Sequence, residues 1–235
     1  MGINLITGLV GSGKSTVGKI LREKGYYVID TDSISADIIN NDNTTRAAFM
    51  AKFGVKATDE KGNLSPEIVE KYITDRDTYD WIWYQLSYPM TSILNQLFDR
   101  RLRSSEVFVE IPVIYGWVRD WLKDGSWHGT RNFHISVGHF AARCERMCEK
   151  YAKDHELYLG GGTVTDQFLW HSRDEVERNK KFVEAFAGVV KQIDERQTAI
   201  DGVYEPPSTK TFLYSNDNLG DPENIADAII KEISC

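Results

Sequence analysis

Ile3-Asn4-Leu5-Ile6-Thr7-Gly8-Leu9-Val10-Gly11-Ser12-Gly13-Lys14-Ser15-Thr16-Val17 is the stretch whose reading decides the fold. It begins as a short apolar β run, passes through glycine-rich chain and continues at helical spacing. Residues 8–15 fit G-x-x-x-x-G-K-[ST] at every fixed position. Average composition produces such a match in roughly one chain of this length in a hundred. The strand before it and the helix after it are the context the motif requires. Glycines let successive backbone N–H groups turn inward around a phosphate, and the helix that follows adds its positive end. Lys14 supplies a mobile cation for β- and γ-phosphates, and Ser15 a hydroxyl ligand for Mg²⁺. The expected ligand is therefore ATP with Mg²⁺. Gly8, Gly11, Ser12, Gly13, Lys14, Ser15 and Thr16 form its cradle, with Ser15 on the metal.

Outward from this stretch, Val17, Ile20 and Leu21 continue the helix, which Gly25 stops. Tyr26-Tyr27-Val28-Ile29 then reads as a second strand ending at Asp30. Strand, loop, helix, strand is the opening of a parallel α/β sheet. Further apolar runs at 107–111, 133–137 and 211–214 bring the expected total to five parallel strands. The fold class is thus a P-loop sheet flanked by helices, one domain over 1–235. Residues 33–103 read as a mostly helical acceptor-binding region, broken by a turn at 59–63. Trp81, Ile82, Trp83, Leu86 and later Ile93, Leu94 and Leu97 form an aromatic-rich, amphipathic patch there, and core packing is the expected role. A long polar helical stretch reads as a lid-like insertion over 143–200, followed by a loop at 205–208. The last helix is announced by Asp221 as cap, Pro222 in the first turn, and Ile225, Ile229 and Ile233 on one face.

The 235 residues are 41% hydrophobic and 27% charged, a globular balance. Lys plus Arg is 28 and Asp plus Glu is 35, so the net charge is 28 − 35 = −7, with no overall electrostatic footprint for duplex nucleic acid. No apolar run approaches the ~18 residues of a membrane span, and the first residues carry neither a basic leader nor a long apolar region. A cytoplasmic location is expected. Three cysteines, two of them Cys144 and Cys148 at helical spacing, suit reduced thiols better than zinc. The five histidines show no ligand spacing, and His134 is expected in a strand as a core or strand-end contact. The composition does not fix the oligomeric state.

A P-loop alone does not separate kinases from other nucleotide-binding proteins. Asp30-Thr31-Asp32 does more, because ligands of an open parallel sheet bind beyond the carboxyl ends of its strands. A carboxylate there can take a proton from an acceptor hydroxyl or hold Mg²⁺ through water. One of the two acids is expected to cap the following helix, at 33–39. Glu110, at another strand end, is a candidate contact to Mg²⁺ or substrate. No N-K-x-D guanine motif is present. A small-molecule kinase is favoured over an ATPase or a regulatory nucleotide-binding module.

These residues resemble the dephospho-CoA kinase family, of the nucleoside-monophosphate-kinase branch of P-loop folds. The resemblance lies in the run 8–17 and in Gly25-Tyr26-Tyr27-Val28-Ile29-Asp30-Thr31-Asp32. It extends through Phe53-Gly54, Gly62-Asn63-Leu64, Leu86-Ser87-Tyr88-Pro89, Ile111-Pro112-Val113-Ile114-Tyr115 and Leu213-Tyr214-Ser215-Asn216. It implies γ-phosphate transfer from ATP to the ribose 3′-hydroxyl of dephospho-CoA, with Asp32 as the base. It further implies Lys14 and Ser15 on ATP and Mg²⁺, Asn216 beside adenine, and Arg143 reaching the phosphates from the helix after the fourth strand. The chain departs from the family at Tyr88, where the family has His, and at Glu110, where an apolar residue is common. It is also longer than the family from 143 to 216. A deoxynucleoside monophosphate is the alternative acceptor.

Replacing Lys14 by Ala removes the ammonium that neutralises the transferring group. Turnover is expected to fall by about 10²–10³ with the fold intact. Steady-state kinetics alongside circular dichroism checks this, and near wild-type turnover would remove the P-loop assignment.

Overall fold

A computed structural model of the chain describes residues 3–9, 11–54, 64–65, 68, 71, 75–101, 106–111, 118, 130–137, 140, 143–144, 187–188, 190–191, 194–195, 209–214 and 222–234. The elements in chain order are β1 (Ile3–Thr7), α1 (Lys14–Glu23), β2 (Tyr27–Asp30), α2 (Thr31–Asn41) and α3 (Asn43–Phe53). They continue as α4 (Arg76–Arg101), β3 (Val107–Glu110), β4 (Arg131–Val137), β5 (Thr209–Tyr214) and α5 (Pro222–Ile233). The five strands form one sheet in the order β2-β3-β1-β4-β5, and every neighbouring pair is parallel. This is the P-loop fold expected from the sequence. Every residue of β1 and of β3 is buried, as sheet-centre strands covered on both faces must be.

The chain folds into two compact units: Met1–Ser35, Ser87–His139 and Gln197–Cys235 in one, Ala36–Leu86 and Phe140–Arg196 in the other. The first unit contains the sheet. Its core gathers Val17 and Leu21 of α1, Phe108 and Phe133 of the sheet, and Ile225, Ala226 and Ile229 of α5. Phe108 is the hub of its aromatic contacts, edge-on to Tyr26 at 5.6 Å and tilted against Phe133 at 6.4 Å. Phe133 meets Phe212 at 6.2 Å. Gly25 follows α1 at φ +91°, a left-handed turn that ends the helix before β2.

In the second unit, Phe49 and Phe53 of α3 close on Trp81 of α4, with centroids 5.2 and 5.5 Å away. Lys52 lies over the Trp81 ring at 5.1 Å. Asp42 separates α2 from α3 and caps the latter by accepting from Thr45 N at 2.7 Å, which holds its carboxyl below the usual aspartate range. Along α4, Ile82 and Leu86 of this unit and Met90, Leu94 and Phe98 of the first are buried. Of the positions expected in the core, Ile82, Leu86 and Leu94 are buried, whereas Trp81, Trp83, Ile93 and Leu97 are half-buried. The helix runs through Pro89.

Three details differ from the sequence reading. α2 begins at Thr31 rather than Ser33, because Asp30 caps it from the last residue of β2. β4 and β5 each begin two residues earlier than their apolar runs, at Arg131 and Thr209, where polar residues still pair in the sheet. The turn at 59–63, the cap Asp221, nearly all of the 143–200 stretch and the loop at 205–208 lie outside the described residues. No helix among the described residues is long and apolar enough to cross a membrane.

Phe108→Ala is expected to cost about 3–5 kcal/mol of folding stability, since it empties a fully buried position in a central strand. Tyr88→Ala, at a residue 83% exposed, is expected to stay within about 0.5 kcal/mol. Urea denaturation of both variants checks the contrast.

Candidate active site

The register of the sheet builds the site. Ile6 of β1, Asp30 of β2 and Glu110 of β3 occupy one row, Ile6 and Asp30 each paired with Glu110. The strand ends that carry the loop and both acidic positions are therefore neighbours in space, although the sequence separates them by up to a hundred residues. Thr7, the last residue of β1, is paired with His134 of β4. Its hydroxyl donates to Asn132 Oδ1 at 2.8 Å and lies 3.1 Å from His134 Nδ1. With the Thr7 proton given to Asn132, Nδ1 of His134 donates back to the hydroxyl. This buried network anchors the strand just before the loop leaves it, and His134 is the strand-end contact expected of it.

Gly8 adopts φ +149°, and a Cβ there would fall 2.2 Å from the Ile135 carbonyl oxygen and 2.6 Å from Ser12 Oγ. Only glycine lets the loop depart so close to β4. Gly13, at φ +93°, stands at the N-cap of α1 and offers no side chain to the first-turn amides. Ser12 is buried, and its Oγ has no hydrogen-bond partner among the described residues. Lys14 folds back so that its Nζ donates to the Leu9 carbonyl at 3.1 Å. Uncapped amides, an inward hydroxyl and an ammonium over a glycine loop make a cradle for a polyphosphate. Thr16 follows on the exposed side of the first turn.

Ser15 Oγ donates to Glu110 Oε1 at 2.5 Å. Glu110 is 5% exposed, and its Oε2 is buried with no hydrogen-bond partner among the described residues. Burial pushes the Glu110 carboxyl above its ordinary value, and the nearby charges of Asp30 and Asp32 add to that. The Ser15 hydrogen bond and the Lys14 charge oppose it. A hydroxyl whose proton is committed to a carboxylate keeps its lone pairs for a cation, and an unsatisfied buried carboxylate oxygen gains from positive charge nearby. Hard oxygen donors of this kind fit Mg²⁺, which keeps several waters and is shared with substrate phosphates rather than caged by protein. No cluster of three or more acidic, His or Cys ligands occurs among the described residues.

The two aspartates after β2 are distinct. Asp30 accepts from Asp32 N at 3.0 Å, Ser33 N at 3.4 Å and Ser33 Oγ at 2.8 Å, so it is the cap of α2. Asp32 is exposed in the first turn of that helix, close enough to act on Glu110 through its charge. Thr31, between them, is buried and donates to the Glu110 carbonyl at 2.8 Å, which fixes the β2–α2 junction to the end of β3. The sequence reading gave no role to Thr7, Thr31 and Asn132; Thr7 and Thr31 carry a signal, as hydroxyls just before the glycine loop and between the two aspartates, whereas Asn132, second in β4, carries none.

Arg143 is in the other unit. It is buried there, paired with Asp194 and over the ring of Phe140 at 5.4 Å. Burial pushes the Asp194 carboxyl up against the pull of that arginine. Asn216 lies outside the described residues.

Fold and site define a P-loop protein. Over residues 3–116 the chain matches the family model described as dephospho-CoA kinase, which bears out the resemblance read from the motifs. Similar curated proteins include the dephospho-CoA kinases of Halalkalibacterium halodurans, Moorella thermoacetica and Streptococcus mutans. The first is 24% identical over 113 residues, covering 47% of this chain and 56% of that protein. The second is 26% identical over 142 residues, covering 59% and 67%. The third is 30% identical over 126 residues, covering 51% and 62%. The chain thus spans little more than half the length of the first of these relatives. A Thermus thermophilus crystal structure aligns at TM-score 0.54 and 21% identity, over 98% of this chain and 97% of that one. The Campylobacter jejuni dephospho-CoA kinase aligns at TM-score 0.52 and 15% identity, over 99% and 96%. Both likenesses are of fold.

The raised Glu110 carboxyl has a pH signature. Its proton is held more tightly in the folded than in the unfolded chain, so the stability it confers is fully present below the ordinary glutamate value of 4.5 and is lost as pH rises through the raised value. Glu110→Gln removes that loss. Melting temperatures without nucleotide are expected to favour the variant increasingly as pH rises from the ordinary glutamate range towards neutrality. A constant difference across that range would contradict the burial argument.

Proposed function

We propose that the protein is a Mg²⁺-dependent kinase that transfers the γ-phosphate of ATP to the ribose 3′-hydroxyl of dephospho-CoA. The observation that carries this reading is that the stretch matching the family, residues 3–116, also supplies the loop, Lys14, Ser15, Glu110 and Asp32, gathered at one edge of the sheet.

Each residue has a defined part. The loop amides from Gly8 to Ser15, with Ser12, hold the β- and γ-phosphates in place. Lys14 leaves the Leu9 carbonyl for a phosphate oxygen and stabilises charge as the group transfers. Ser15 and Glu110 would hold Mg²⁺, which when bound neutralises phosphate charge; Glu110 keeps the Ser15 hydroxyl turned so that its lone pairs are available. Asp30 discharges the capping duty, so Asp32 is the acid that accepts the proton of the acceptor hydroxyl. A phosphate acceptor is already ionised and needs no such base, so a base at this position favours a hydroxyl acceptor over a monophosphate. Arg143 can serve the phosphates only by giving up Asp194, so the primary set is Lys14, Ser15, Glu110 and Asp32.

Asp32→Asn is expected to lower kcat with dephospho-CoA by about 10²–10⁴ while leaving ATP binding in place. Coupled assays of wild type and variant, with dephospho-CoA and the common deoxynucleoside monophosphates as acceptors, check this. Turnover with the monophosphates alone, unchanged by the substitution, would transfer the assignment to a monophosphate kinase. ATP hydrolysis indifferent to every acceptor would make the protein an ATPase.

A further inference from the structure

Gly18 lies inside the ten-residue helix α1 and is buried. Glycine weakens a helix interior relative to alanine, so its place there calls for a local cause. A Cβ at this position would stand 3.0 Å from Glu110 Oε2 and 3.5 Å from Val28 Cγ1. The Glu110 carboxylate is thus confined between two residues of α1: Oε1 receives the Ser15 hydroxyl at 2.5 Å, and Oε2 faces the bare Cα of Gly18.

We propose that Gly18 is a positioning residue for the nucleotide site: its missing side chain makes room for an acid of glutamate length at the end of β3, and Gly18 and Glu110 act as one coupled pair that orients the Ser15 hydroxyl. An aspartate at 110 is shorter by one methylene, so it withdraws from Ser15 and leaves a gap beside residue 18. An alanine at 18 pushes the glutamate carboxylate away from its seat. Either change alone disturbs the partner of Ser15. Made together, the added methyl fills the space that the shorter acid vacates, so the second change adds little to the first.

The inference rests on the reading of Ser15 as a ligand of Mg²⁺, and a double-mutant cycle separates the two. Wild type, G18A, E110D and G18A/E110D are titrated with Mg²⁺ in the presence of a fluorescent ATP analogue, and the same four proteins are melted without nucleotide. Each single variant is expected to need about threefold or more Mg²⁺ for half-maximal binding. The double variant is expected to be no worse than about twofold beyond the weaker single. A double variant at the product of the two single factors, or a G18A protein with wild-type Mg²⁺ dependence, overturns the coupling. Should wild type bind the analogue without regard to Mg²⁺, the metal reading of Ser15 falls and the melts decide the coupling. G18A is expected to lower the melting temperature of the parent and to raise that of E110D, where helix propensity acts unopposed. Equal shifts in both backgrounds overturn it. If G18A alone does not fold, recovery of the fold in G18A/E110D supports the coupling, and an unfolded double variant overturns it.

Discussion

A carboxylate that the sheet takes out of water is the constraint to which the nucleotide end of the molecule is fitted. Glu110 closes a strand that is buried throughout, one place from β1 on one side and from β2 on the other. Its charge is costly there unless something answers it. Ser15 answers with a hydroxyl and Lys14 with a field, while Asp30 and Asp32 work in the opposite direction. The balance is incomplete, because Oε2 has no hydrogen-bond partner among the described residues. An under-compensated buried acid of this kind gains from a cation brought near it. The same acid, through its backbone carbonyl, holds Thr31 and so the start of α2. Loop, proposed metal position and proposed base are thereby referred to one residue on an interior strand, which suits chemistry that depends on placement within fractions of an ångström.

Much of this was legible in the amino-acid order because the loop and its flanking elements are local features. Glycine spacing, a strand before it and an amphipathic helix after it are written within fifteen residues, and the described structure reproduces them. Strand order is not written that way. Nothing between Ile3 and Asp30 announces that Val107–Glu110 inserts between β1 and β2, yet that insertion is what makes Glu110 a neighbour of Ser15. The departure of Glu110 from an apolar pattern was visible; its burial and its partner were not, since both are consequences of topology. Gly18 was invisible for the same reason. Inside a helix it reads as a propensity defect, and only the approach of Glu110 Oε2 shows what the space is for.

The unit formed by Ala36–Leu86 and Phe140–Arg196 is organised by different forces. Its described contacts are aromatic, Phe49 and Phe53 against Trp81, with one buried ion pair between Arg143 and Asp194. The pair leaves Arg143 Nε without a hydrogen-bond partner among the described residues. A buried pair with an unsatisfied atom repays little of its desolvation cost.

The division of labour between Asp30 and Asp32 follows from the absence of a loop between β2 and α2. The strand ends at Asp30 and the helix begins at Thr31, so the first-turn amides must be met by the last strand residue itself. Asp30 meets them, with its two oxygens spread over three donors. Asp32 lies two residues on, exposed in the same turn, where the carboxylate side chain is not needed to cap the helix. Two acids of the same type, separated by a buried threonine, are thus assigned by backbone geometry to different tasks. The one that terminates the strand holds the helix, and the one carried on the helix is the proposed base.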